Sequence, residues 1–492
     1  MRRLLENFIM DKSKIIKSTV IMTAVSIIGR IVSVPKNIVV GLAMPAADFG
    51  VYNSIFLWFF YLTILSSFTN GLFSTASRDS AHYFGIPKQE QQGIDIQNKS
   101  ITVGSIIVLM ILAGYFIYAF RKETPQLVSG FVLVGVFYLL NQISSLYERF
   151  NSARNLFTGV AVANLLNDAI VAVLVMAAVF SWGIYALFLG PIIALVVKIL
   201  YFQAKMPLQF RPSLDHAVMK RYYSSALFFG ATALISNLYS VVDRTFINLY
   251  LDSTVMGLYS FSLMSVMMLQ TLFATFQGVF YDTINKSSTL DAGVTDKVMH
   301  YNFYFLFFTI FLIVISQFAY YVMVGYVVTN YRSSTSMFVI LSVMMYFYAM
   351  FIMPSALLTS KLMRKENLIT VIMLSGVAAA ALMNFLFIRI GWSGEGVALG
   401  TTLSQVVVTL GTLVALMRSA AGDPFRHAGK LAYVSLAFIA NSAVFYYLVI
   451  REYPLSVVAL YSAVTIGMLL IASQHYFKPH PLRLVWDLYR SR

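Results

Sequence analysis

Apolar runs of about twenty residues succeed one another from residue 18 to residue 475, separated by short polar or charged connections. A bilayer core about 30 Å thick is crossed by roughly 20 such residues in a helix, and a helix satisfies its own backbone hydrogen bonds where water cannot. Fourteen segments are read, near 18–42, 50–76, 100–120, 126–147, 156–180, 183–203, 223–250, 257–281, 301–325, 336–359, 368–389, 396–417, 431–450 and 455–475. Composition leaves no soluble alternative: 59% of residues are hydrophobic and 11% charged, against about 25% charged in an ordinary soluble chain. The expected fold class is therefore an all-α integral membrane protein with about 14 transmembrane helices.

Basic residues set an orientation. Of the 35 Lys and Arg, 26 fall at the N-terminus and in every second connection from there, and only Arg121, Lys122, Arg332, Arg389 and Arg451 fall in the opposite set. The positive-inside rule makes the first set cytoplasmic, so both termini are expected in the cytoplasm and the chain in a cytoplasmic (inner) membrane. The net charge of +15 is this bias, and no nucleic-acid partner is expected. The N-terminus is basic and then apolar, as in a signal peptide, but it reaches Gly29-Arg30 without a small-residue cleavage site and reads as a retained first helix. Residues 478–492 mix apolar and basic positions, the pattern of an amphipathic helix on an anionic leaflet and equally of a positive-inside tail.

Several chemistries are excluded. The chain has no cysteine, hence no disulfide framework and no thiolate ligand. Its six histidines stand in connections, near span ends or in the tail, with no His-x-x-x-His pair and no nearby cluster of acids, so neither a metal site nor a triad is expected. The phosphate-cradling Gly-x-x-x-x-Gly-Lys-Ser/Thr loop is missing. The expectation is a non-enzymatic protein without cofactors, apart from a candidate coupling proton or sodium ion.

The chain also repeats itself. Phe49-Gly50-Val51-Tyr52 is answered by Met256-Gly257-Leu258-Tyr259, Trp182 and Gly190 by Trp392 and Gly400, and Asn155-Leu156-Phe157-Thr158 by Asn367-Leu368-Ile369-Thr370. The period is about six helices, an even number, so the two copies enter the membrane from the same face and are related by an axis along its normal. This divides the chain into a lobe at 1–210, a second at 211–418, and a remainder at 419–492 holding helices 13 and 14 and the tail.

Gly29-Arg30, the Phe-Gly-Val-Tyr turn, Val242-Asp243-Arg244, Gly257-Leu258-Tyr259, and Asn384 ahead of Gly391-Trp392 together resemble the polysaccharide-transport branch of the multidrug/oligosaccharidyl-lipid/polysaccharide exporter superfamily, the Wzx-type flippases. The resemblance covers helices 1 to 12. It implies a two-lobed bundle that moves undecaprenyl-pyrophosphate-linked oligosaccharide from the cytoplasmic to the outer leaflet. It also implies the lipid bilayer as surroundings and polymerase and chain-length proteins of the same pathway as partners. Lipid II flippases share the plan, but Asp48-Phe49-Gly50 stands where their second helix begins with an Asp-Ala-Phe-like motif.

Charges within spans are costly and mark pathways or partners. Arg30 and Lys36 in helix 1 and Arg244 in helix 7 are candidates to contact the anionic substrate. Asp168 and Asp243 are candidates for a gate or for ion coupling, with structural ion pairing as the plainer account. The repeat places Asp243 on Lys36, a pairing that would latch an outer gate. Lys198, near the inner end of helix 6, is expected to snorkel to the interface. A membrane glycan polymerase would want a large external loop, which is lacking. An ion-coupled drug exporter would want a more apolar cavity than the helix 1 cations leave.

Overall fold

The computed structural model describes residues 28–29, 32–84, 86, 89–121, 125–213, 216–285, 292–360, 363–419 and 425–476. Arg30, residues 18–27 of the first apolar segment and the basic tail lie outside the described residues. The described chain is helical, with no strand, as expected where backbone polar groups meet lipid.

The helices are α1 (Val32–Ala43), α2 (Ala46–Leu65), α3 (Ser67–Phe84), α4 (Glu90–Ala119), α5 (Pro125–Ala153), α6 (Phe157–Trp182), α7 (Ile184–Lys205) and α8 (His216–Tyr239). There follow α9 (Val242–Tyr250), α10 (Ser253–Asn285), α11 (Ala292–Val322), α12 (Thr335–Thr359), α13 (Glu366–Arg389), α14 (Gly394–Ser419), α15 (Phe425–Ile450) and α16 (Leu455–Tyr476). Ten described helices are long and apolar enough to cross a membrane, or eleven when the bent pair α8–α9 is one span. The shorter apolar stretches Val32–Ala43 and Leu455–Ile471 coincide with the first and last segments read from the sequence.

Two segments read as single runs are broken. The run at 50–76 is divided at Ser66 into α2 and α3, where the hydroxyls of Ser66 and Ser67 both donate to the Thr63 carbonyl. The run at 223–250 bends by 46° between α8 and α9, and there Ser240 Oγ donates to the Asn237 carbonyl. The same hydroxyl-to-carbonyl bonds occur inside unbroken helices, as at Ser80 of α3 and Ser342 of α12, and apolar periodicity passes through both breaks without a signal.

The chain divides into two compact units, Met1–Ser260 and Phe261–Arg492. In the first, Ile55 and Leu62 of α2, Val108 and Leu112 of α4, Val134 of α5 and Phe188 of α7 form one buried cluster. Tyr115 enters it and donates to the Phe131 carbonyl across α4 and α5. In the second unit α12 is enclosed: 78% of the best apolar window over Thr329–Thr359 is buried. A π-helical turn at Met323–Val327 and a 3-10 turn at Thr329–Ser334 lead into it, and Tyr320 stacks on Phe338 at 3.9 Å between ring centres.

The repeated glycines do equivalent work in each unit. A Cβ on Gly190 of α7 would lie 2.8 Å from Val175 of α6, and one on Gly400 of α14 would lie 2.2 Å from Asn384 Oδ1 of α13. Each glycine thus lets a helix close onto the one before it. The turns that precede them use Gly183 and Gly391 at φ +52° and +92°, a region open to glycine without strain.

Candidate functional site

The first unit contains two close helix crossings built on glycine. At the first, α2 and α10 meet through the repeated motifs themselves. A Cβ on Gly50 would fall 1.6 Å from the Ser253 carbonyl oxygen, and a Cβ on Gly257 would fall 1.8 Å from the Ala46 carbonyl oxygen. The contact is reciprocal, because each glycine faces the residue four positions before the other, and only hydrogen side chains permit it. At the second crossing Gly71 of α3 faces the Ala226 carbonyl and Gly230 of α8, with would-be Cβ distances of 2.2 and 2.5 Å. The repeat exposed the first crossing in the sequence. Gly71 and Gly230 are not repeat mates, and nothing in the pattern singles them out.

Beside the first crossing lies the charged cluster of helix 7. Asp243 falls in the first turn of α9, directly after the break, where a carboxylate is favoured by the unsatisfied amides of a helix start. Its Oδ1 accepts the Arg244 backbone N–H at 2.7 Å and its Oδ2 accepts the Tyr259 hydroxyl at 2.5 Å. Asp243 is only 4% exposed, so both of its oxygens are committed within the fold. Tyr259 belongs to the repeated Gly-Leu-Tyr motif, and its hydroxyl is what joins that motif to helix 7.

Arg244 is held differently. One terminal nitrogen donates to the Ser240 carbonyl at 2.6 Å, an acceptor set free by the break. The guanidinium lies over the Phe60 ring, 4.4 Å from its centre, and Nε is 3.9 Å from Asp243 Oδ1. Nε makes no hydrogen bond. A guanidinium carries five N–H donors, so this one is oriented by a ring and a carbonyl while keeping donor capacity for an anion. Tyr61 and Thr245, 2.9 Å apart through their hydroxyls, tie α2 to α9 next to it.

Asp168 is brought to the first helix. A Cβ on Gly29 would lie 2.6 Å from Asp168 Oδ2, so the glycine ahead of Arg30 makes room for this carboxylate against the backbone of helix 1. Asn167 Nδ2 approaches Asp168 Oδ1 at 3.4 Å. Lys36 is half-buried on α1. The structure thus gathers Asp243 with Arg244, and Asp168 with Gly29.

A further charged pair escaped the sequence. Lys198 of α7 does not snorkel: its side chain is 7% exposed and pairs with Glu148 of α5 at 2.5 Å, where Ser144 also donates to Glu148 Oε1. Arg149 turns the other way and donates to the Asn70 carbonyl and Ser74 Oγ of α3 at 3.0 and 2.7 Å. The apolar run of the fourth segment ends near residue 147, which left Glu148 and Arg149 outside it. The helix continues to Ala153 and carries them into the bundle. Among the described residues no group of three or more His, Cys, Asp or Glu is arranged to hold a metal ion.

Comparison with known proteins gives this arrangement its relatives. A lipid II flippase, MurJ, in an inward-closed conformation superposes with a TM-score of 0.71 at 12% identity, over 93% of this chain and 99% of that one. A multidrug resistance MATE transporter in an inward-facing conformation gives 0.57 at 12% identity, over 81% and 98%. A MOP-superfamily transporter from Pyrococcus furiosus gives 0.55 at 13% identity, over 82% and 95%. Identities this low establish the fold alone, which is that of the MOP-superfamily transporters, and the ten apolar helices of the chain itself make it a multi-pass membrane protein. No curated protein matches. The family described as polysaccharide biosynthesis protein matches residues 15–288, more than half of the chain, and the protein belongs to that family.

Proposed function

We propose that the protein is a flippase that carries undecaprenyl-pyrophosphate-linked oligosaccharide from the cytoplasmic to the outer leaflet of the inner membrane by alternating access. The observation that carries this reading is Arg244. An oriented guanidinium with an unused donor, in a polysaccharide biosynthesis family with a flippase fold, suits a lipid-linked pyrophosphate. Arg30 and Lys36 of helix 1 supply further positive charge for the same anion. The reciprocal Gly50–Gly257 contact supports the transport cycle, since a crossing without side chains closes firmly and can part without unpacking a core. Asp168 is the carboxylate proposed to take a coupling proton or sodium ion, because Asp243 already spends both oxygens on Arg244 and Tyr259. The 26 to 5 distribution of basic residues supports cytoplasmic termini, and pathway polymerase and chain-length proteins are the proposed partners.

The test is the sidedness of the lipid-linked oligosaccharide in inverted vesicles from cells that lack the gene, carry it, or carry Arg244→Ala or Arg244→Lys at equal membrane levels. Accumulation on the cytoplasmic leaflet is expected without the gene, relief with wild type, no relief with Arg244→Ala and partial relief with Arg244→Lys. If deletion leaves sidedness unchanged, the glycolipid substrate is wrong and lipid II or drug transport on the same fold becomes the reading to test.

A further inference from the structure

The second unit contains a cavity of about 540 Å³ between α12, the α13–α14 turn and α15, and we propose that it binds an alkylammonium ion. Small-molecule sites have volumes of roughly 300 to 1,000 Å³ and combine apolar walls with a few convergent polar groups. Here the walls include Val339, Val343, Leu399 and Ile439, and the polar groups are Glu395, Ser442, Tyr446 and Thr402.

Each polar group narrows the occupant. Thr402 Oγ1 is already engaged, with the Ile340 and Ala398 carbonyls at 3.1 and 2.8 Å. The Tyr446 hydroxyl donates to Glu395 Oε2 at 3.4 Å, a long bond to a carboxylate. Among the described residues no Lys, Arg or His lines the cavity, so the Glu395 carboxylate among apolar walls is open to an entering cation as its counterpart. Ser442 is 3% exposed, faces the cavity, and its hydroxyl has no partner. A buried hydroxyl left unpaired carries a desolvation cost, which an entering N–H group relieves.

Trp392 supplies the remaining wall. Its ring is stacked on Phe387 at 5.3 Å and 11°, so it is fixed in place and offers a π face to a cation. One carboxylate, one spare hydroxyl, aromatic rings and apolar walls match an ammonium group carrying an alkyl chain. The volume is far larger than a bare metal ion needs. A zwitterionic phospholipid headgroup fits poorly, because its phosphate would stand beside Glu395 with no basic residue to meet it. The site is separate from Arg244 and does not depend on the flippase reading.

The experiment uses the full chain in phosphatidylcholine nanodiscs and tritiated octylammonium at neutral pH, with binding to empty discs subtracted. Saturable binding is expected, weakened at least tenfold by Glu395→Gln, more modestly by Ser442→Ala, and abolished by Ala443→Phe, which fills the cavity. Octanol, the neutral counterpart, is expected not to compete. No saturable binding, equal affinity in a folded Glu395→Gln, or displacement by octanol as strong as by unlabelled octylammonium overturns the proposal. Loss of binding when phosphatidylethanolamine replaces phosphatidylcholine also overturns it, since a lipid headgroup would then be the occupant. Should Glu395→Gln fail to fold, Ser442→Ala and Ala443→Phe carry the same decision.

Discussion

The two units bury different kinds of polar chemistry. The first encloses charges: Lys198 and Asp243 are each 5% exposed or less, and each has a named partner on another helix, Glu148 and Tyr259. Among the described residues, the buried polar residues of the second unit are neutral, and they include Asn302, Thr309, Gln317, Ser342, Thr402 and Thr409. Several of them bond the backbone of the enclosed helix α12, as Thr402 does to Ile340, Thr409 to Phe347 and Asn302 to Met350. Neutral hydroxyls and amides join helices at little desolvation cost, whereas a buried ion is tolerated only with its counterpart in place. Losing one partner is therefore severe in the first unit and graded in the second.

The largest effect belongs to Lys198. Replacing it with Met leaves the Glu148 carboxylate inside the bundle without its cation, and breaking a buried pair costs roughly 3–5 kcal/mol. Glu148 keeps 32% side-chain exposure, so solvent screening reduces the expected loss to about 2–3 kcal/mol. The double variant Lys198→Met/Glu148→Gln removes both charges and should recover most of the stability in thermal unfolding of the protein in lipid. A single variant as stable as wild type would place Lys198 at the interface after all and dissolve the contrast between the units.

Gly50→Ala comes next and sharpens the comparison inside the first unit. Its Cβ meets a backbone oxygen that cannot rotate away, so α2 and α10 must separate, at the cost of overpacking, about 1–3 kcal/mol. Gly257→Ala strains the same contact from the other side. The double variant should therefore cost clearly less than the sum of the singles, because helices already parted accommodate the second methyl. Additive losses would mean that the two glycines act independently and the reciprocal contact is not one closure.

Much of this was readable before the structure because lipid makes few patterns possible. Apolar length marked the ten described helices able to cross a membrane, and the 207-residue offset between Gly50 and Gly257 marked a pair that proves to be in contact. Arg244 and Asp243 stood out because charge is rare in spans. What escaped depends on geometry that periodicity does not encode. The breaks at Ser66 and Ser240 leave the apolar periodicity unchanged, and the Lys198–Glu148 pair comes from a helix that outruns its apolar run. The partner of Asp243 is a tyrosine sixteen residues later, a residue type too common here, at 30 copies, to be picked out by composition.

The smallest expected effect is the one that tests the neutral half of the comparison. Thr409→Val keeps shape and removes a hydroxyl that bonds the Phe347 carbonyl at 2.9 Å. Interhelical bonds of this kind in membranes average about 0.6 kcal/mol, so thermal stability should fall only slightly. Thr402→Val removes the equivalent bond one heptad earlier, to Ile340, and the two losses should add because the sites share no partner. A cost above about 2 kcal/mol for either one would exceed the ordinary value of a neutral hydrogen bond. The α12–α14 contact would then be as brittle as the ion pair of the first unit, and the distinction between the two interiors would have to rest on something other than charge.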